Sequence, residues 1–152
     1  MVIESRLSGY ARRQILVSRL GAHVTSAALV SIVDDDESLR TATASVIRSM
    51  GWDVLTFESA AAFLGSGAVD RTRCLISDVS MPGMSGIEMH ARLLANGCAP
   101  PTIFLTGYPT ARDEAVVLAN GALAYLPKPP DFKIVLGNIQ RAFANARSPR
   151  AD

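Results

Sequence analysis

A chain of 152 residues can bury one ordinary core and leaves little room for a second. With 49% apolar residues, 19% charged ones and a net charge of +1, it reads as a soluble globular protein with no demand for a nucleic-acid partner. No stretch approaches the roughly twenty apolar residues of a membrane span, and Arg12-Arg13 followed by Ile15-Leu16-Val17 is cut short by Arg19 and His23, so a membrane role and an export signal are both excluded and a cytoplasmic location is expected.

Residues 1–26 form a basic extension, with Arg6, Arg12, Arg13 and Arg19 against Glu4. Ile3, Leu7 and Tyr10 have helical spacing, so this leader is expected to be either an amphipathic helix or disordered. From about Ala27 the chain alternates short apolar runs with helical periods, the pattern of repeated β-α units on a parallel sheet. The first unit pairs a strand over Leu29–Val33 with a helix from about Glu37 to Met50. Asp36 is its expected N-cap, Leu39, Val46, Ile47 and Met50 its apolar face, and Gly51 its stop. A second strand, Trp52–Phe57, precedes a short helix opened by Ser59 and ended by Gly65 and Gly67.

A third strand over Cys74–Ser77 runs into Asp78. The loop Met81-Pro82-Gly83-Met84-Ser85-Gly86 then enters a helix carrying Ile87, Leu93 and Leu94. A fourth strand, Thr102–Thr106, yields at Gly107, and Thr110 with Asp113 three residues on has the form of a capping box for a helix ending near Asn120-Gly121. A fifth strand, Ala124–Leu126, delivers Pro127-Lys128-Pro129-Pro130. The last helix, about Asp131–Ala146, is expected to bury Val135, Leu136, Ile139 and Phe143. Residues 27–146 thus make one domain, residues 147–152 a polar tail, and nothing after Phe143 is long enough to fold independently. The expected fold class is α/β, a doubly wound five-stranded parallel sheet with helices on both faces. Cys74 and Cys98 have no metal-ligand spacing and read as buried small hydrophobes; His23 and His90 also lack partners at such spacing.

Parallel strands deliver Asp34, Asp35, Asp78, Thr106 and Lys128 to one edge of the sheet. Clustered carboxylates repel one another, so such an edge should recruit a hard cation such as Mg²⁺, which one or two carboxylates can hold. Lys128 would offset the remaining charge, and Asp78, alone at its strand end, is the candidate nucleophile toward a phosphoryl group. The hydroxyl of Thr106, beside Gly107, could donate to phosphoryl oxygens.

Ile32-Val33-Asp34-Asp35, Ile76-Ser77-Asp78 with Val79-Ser80-Met81-Pro82-Gly83-Met84-Ser85-Gly86, Leu105-Thr106-Gly107 and Leu126-Pro127-Lys128-Pro129 together resemble the receiver domain of two-component response regulators. The resemblance covers about residues 27–146 and implies a flavodoxin-like strand order 2-1-3-4-5. It implies Asp78 as phosphoacceptor, Asp34, Asp35, Asp78 and the backbone carbonyl of Ser80 around Mg²⁺, and Thr106 and Lys128 as phosphate sensors. By the same resemblance Tyr125 is the aromatic switch, Lys128-Pro129 is a cis bond, and Ser80 and Tyr108 flank the phosphoryl group and tune its lifetime. It further implies a histidine kinase or histidine phosphotransfer protein as donor, a downstream protein target, and a monomer or a phosphorylation-linked dimer, with self-phosphorylation in place of enzymatic turnover. Pro130 departs from the aromatic or aliphatic residue that many members carry after Lys-Pro.

Two rival readings are an aspartate-nucleophile phosphohydrolase and a receiver-shaped interaction module that takes no phosphate. The first typically needs a second acid two residues after the nucleophile, where this chain has Ser80, and the intact acidic set speaks against the second. A DNA-binding regulator is disfavoured because no helix-turn-helix follows.

Overall fold

A computed structural model describes residues 28–145, so the readings for residues 1–26 and for the tail at 147–152 lie outside the described residues. In chain order the elements are β1 (Leu29–Val33), α1 (Glu37–Ser49), β2 (Asp53–Phe57), α2 (Ala60–Leu64), β3 (Cys74–Asp78), α3 (Gly86–Ala95), β4 (Thr102–Thr106), α4 (Ala111–Ala119), β5 (Ala124–Pro127) and α5 (Phe132–Asn145). A short 3₁₀ turn, Val69–Arg71, which the sequence reading passed over, leads into β3. All strands pair in parallel in the order β2-β1-β3-β4-β5, the expected doubly wound topology.

The period of two along each strand sorts the core into layers. Val30 and Ile32 of β1, Cys74 and Ile76 of β3, and Ile103 and Leu105 of β4 join Ala44 and Ile47 of α1 and Val135, Ile139 and Ala142 of α5. On the opposite face, Val33 and Leu75 meet Ala60 and Phe63 of α2 and Met89 and Leu93 of α3. Phe104 and Tyr125 form a third cluster there with Val79 and with Val117 of α4. At the seam between α1 and α5, Trp52 meets Phe143 edge-on with ring centroids 5.2 Å apart.

Capping fixes where the helices begin. The side chains of Asp36, Ser59, Ser85 and Thr110 accept from the N–H groups of Leu39, Ala62, Glu88 and Asp113, each at 3.1 Å. Two expectations need correction. Met50 is the C-cap of α1 and is 44% exposed, not part of its buried face, because Thr43 and Ala44 fill the seam against the sheet. The capping box at Thr110 is only half made: its backbone N–H donates to Tyr125 Oη at 3.1 Å, so a tyrosine from β5 occupies the place that the longer Glu or Gln side chain takes in such a box. After α1 the chain reverses at Gly51, whose φ of 83° is a left-handed conformation open to glycine at little cost. The Lys128-Pro129 bond is cis, as the resemblance implied.

Candidate functional site

Strand register gathers the predicted residues. Val33 lies opposite Ser77, Asp78 opposite Leu105, and Thr106 opposite Pro127, so Asp34, Asp78, Thr106 and Lys128 reach the same rim of the sheet within about one rung of each other. Lys128 Nζ stands 3.0 Å from Asp34 Oδ2 and 3.0 Å from Asp78 Oδ2. Asp34 and Asp78 are almost fully buried, at 2% and 5% exposure, while Asp35 is exposed. Carboxylate oxygens of Asp34, Asp35 and Asp78 lie within 4.8 Å of one another.

Asp34 is held on every polar atom. Its N–H donates to Phe57 O at 3.1 Å. Its carbonyl accepts from an Arg40 guanidinium nitrogen at 2.7 Å. Its Oδ1 accepts from the N–H of Asp36 at 2.9 Å and from Lys128 at 3.3 Å. Asp78 Oδ1 accepts from the N–H of Ser80 at 3.2 Å. Behind Asp78, a side chain at Gly86 would place its Cβ 2.0 Å from the Asp78 carbonyl oxygen and 2.6 Å from Ser77 Oγ, so only glycine lets the first turn of α3 close onto the end of β3.

Thr106 is buried, and its Oγ1 accepts from the N–H of Tyr108 at 3.1 Å, which leaves the hydroxyl hydrogen free to donate elsewhere. The N–H of Lys128 donates to the carbonyl of Thr106 at 2.8 Å, tying the two loops together. No atom lies within 4 Å of where a Gly107 Cβ would stand. The Tyr108 ring is 82% exposed and stands in solvent. Tyr125 is 9% exposed, so its ring is seated in the core with Thr106 still bonded to Tyr108.

The electrostatics follow from three acids around one ammonium. Burial pushes the Asp78 carboxyl up from 3.8 to about 6; negative Asp34 and a hydrogen bond with Asp35 add to the rise, and Lys128 opposes it. Burial works against the Lys128 ammonium, but hydrogen bonds and attraction from Asp34 and Asp78 outweigh it, so its pKa is raised. Excess negative charge on oxygen donors, two of the three acids buried, fits a small hard cation of the Mg²⁺ type.

Arg40, Ser77 and Gly86 were not singled out from sequence. Arg40 lies one turn into α1, on the helix that follows the acidic pair, and only the fold reveals that its side chain turns back to the loop. Ser77 carries its own signal, a hydroxyl in an otherwise apolar strand; it donates to the Asp78 carbonyl at 2.9 Å.

Paired acids, a lone aspartate, a threonine and a lysine at the C-terminal rim of a doubly wound α/β sheet define a class of single-domain folds with an acidic site at the strand ends. Residues 30–140 match the family described as "Response regulator receiver domain", and the chain belongs to that family. It is 35% identical over 111 residues to Nodulation protein W of Bradyrhizobium diazoefficiens, covering 72% of this chain and 49% of that protein. It is 32% identical over 117 residues to Transcriptional regulatory protein FixJ of Azorhizobium caulinodans, covering 77% of this chain and 56% of the relative. Among solved structures, "FIXJ-N" superposes with a TM-score of 0.69 at 29% identity, covering 80% of this chain and 97% of that one. The chain therefore spans about half the length of these curated relatives. One of them is named a transcriptional regulatory protein, so the expected exclusion of a nucleic-acid partner has no support here. Among the described residues no helix is long and apolar enough to cross a membrane.

Proposed function

We propose that the chain is the phosphoacceptor of a two-component or phosphorelay system, taking a phosphoryl group onto Asp78 from the phosphohistidine of a histidine kinase or histidine phosphotransfer protein in the cytoplasm. The observation that carries this reading is the convergence of buried Asp78 with Lys128 at 3.0 Å and with the oxygens of Asp34 and Asp35. An oxygen of Asp78 attacks phosphorus, the phosphorus–nitrogen bond breaks, and its electron pair stays on the donor imidazole. Asp34, Asp35, Asp78 and the Ser80 carbonyl would hold Mg²⁺, which supplies neutralisation of charge on the transferring oxygens. Lys128 neutralises from the other side and stays paired with Asp34 as the acceptor changes. The Thr106 hydroxyl donates its free hydrogen to a phosphoryl oxygen.

The product adds about −1.5 to −2 charges at the rim. Because Tyr125 already occupies the core and caps α4 through Thr110, a shift of the Thr106 loop reaches the start of α4 without an inward swing of the ring. The face of α4, β5 and α5 is then the readout for a downstream target, as a monomer or a phosphorylation-linked dimer. Ser80 and Tyr108, flanking the acceptor, set how long the phosphoryl group lasts. The chemistry is self-modification and not turnover of a separate substrate.

Incubation with acetyl phosphate and Mg²⁺ followed by intact-mass and peptide analysis tests this. One added phosphoryl group on Asp78, absent from Asp78→Asn, is expected. An unmodified Asp78 refutes the proposal, and steady turnover of a small phosphate ester would assign the site to a phosphohydrolase instead.

A further inference from the structure

We infer that Arg40 is a positioning residue for the divalent cation, acting through the backbone of the β1–α1 loop and not by contact with the ion; this rests on the Mg²⁺ reading above. Its backbone N–H donates to Asp36 O at 2.9 Å, and its guanidinium reaches past Asp35 to the Asp34 carbonyl at 2.7 Å. The first is the opening bond of α1, which any residue here would make; the grip peculiar to arginine is the second, on the carbonyl just before Asp35. That grip matters because the two metal-facing acids of the loop are anchored differently. Asp34 has its side chain fixed by the Asp36 N–H and by Lys128. Asp35 is exposed, meets Asp78 at its carboxyl end, and is preceded by the peptide whose oxygen Arg40 holds. Releasing that carbonyl lets the Asp34-Asp35 peptide rotate and carries the Asp35 carboxylate away from Asp34 and Asp78.

The inference makes a prediction opposite in sign to simple electrostatics. Arg40 is a cation close to a cation site, so deleting its charge with no other effect would tighten Mg²⁺ binding. If positioning dominates, deletion weakens binding, as loss of an outer hydrogen-bonding partner does at metal sites generally.

Titration calorimetry with MgCl₂ on the full chain, beside Mg²⁺-dependent thermal shifts, separates the two. Arg40→Ala is expected to bind Mg²⁺ about tenfold more weakly than wild type, the lower end of the usual range for such partners. Arg40→Lys, which keeps the charge but offers a single-point donor, should recover part of the loss. Melting in EDTA checks that the variants are folded; if Arg40→Ala does not fold, Arg40→Lys and Arg40→Gln carry the test, each expected to bind more weakly than wild type. Binding as tight as wild type or tighter, in a folded variant, overturns the role of Arg40 alone. A wild-type chain with no response to Mg²⁺ overturns the cation site, and this inference with it.

Discussion

Replacing Asp78 with asparagine should make the metal-free protein more stable. Inside the fold the carboxyl titrates at about 6, against 3.8 in its ordinary state, because burial and the neighbouring Asp34 disfavour the anion more than Lys128 favours it. The native chain therefore binds this proton more tightly than the unfolded chain does. The associated stability is fully present below pH 3.8 and is lost as pH rises through 3.8 to about 6. At pH 7 the loss is about 3 kcal/mol, at 1.36 kcal/mol for each tenfold change in proton affinity. Asparagine keeps the shape, keeps an oxygen for the Ser80 N–H and leaves Lys128 paired with Asp34 at 3.0 Å, so it escapes most of that cost. In EDTA at pH 7, Asp78→Asn should unfold at higher urea, with a melting point roughly 6–12 °C above wild type for a domain of this size. The gap should close toward pH 4. Saturating Mg²⁺ should raise wild type more than the variant, since the ion relieves the repulsion that asparagine has already removed. An Asp78→Asn protein no more stable than wild type at pH 7 in EDTA, or a gap independent of pH, would refute the charge argument.

Tyr125→Phe keeps the ring in the core but removes the acceptor for the Thr110 N–H; a loss of about 0.5–1.5 kcal/mol is expected, with faster hydrogen exchange at the Thr110 amide as the specific readout. Tyr108→Ala should shorten the life of the phosphorylated form, measured by loss of the phosphoryl mass after acetyl phosphate is removed; an unchanged decay sinks the lifetime-tuning role proposed for Tyr108. Burial pushes the Cys74 thiol up to about 12, whereas Cys98 is only half-buried, so a thiol reagent at pH 8 should modify one cysteine in the native protein and both in denaturant. Rapid reaction of Cys74 in the native state would contradict the packing around β3.

Chain order and spacing were enough to find the sheet, because each strand is a short, mostly apolar run and each helix begins at a side chain able to cap it. The rim residues were legible for the same reason: a parallel sheet sends every strand end to one side, so acids separated by more than forty positions become neighbours by topology alone. What the sequence hid depends on side-chain direction. Met50 has the helical spacing of a core residue, yet the helix ends before it. Thr110 and Asp113 have the spacing of a reciprocal cap, yet a tyrosine fifteen residues away supplies the partner. Arg40 looks like a solvated helix arginine until the loop before it is seen to curl within its reach.

Gly86 has a consequence for how this molecule can respond to chemistry at its rim. With the start of α3 resting directly on the carbonyl of Asp78, helix and strand tip form a single anvil with no slack beneath the acceptor. A bulky group added above cannot be accommodated by retreat of the backbone below. If Asp78 takes a phosphoryl group as proposed, the loops of Thr106 and Lys128, tied to each other by a hydrogen bond, are the side left open to respond, a direction set by one missing methyl group.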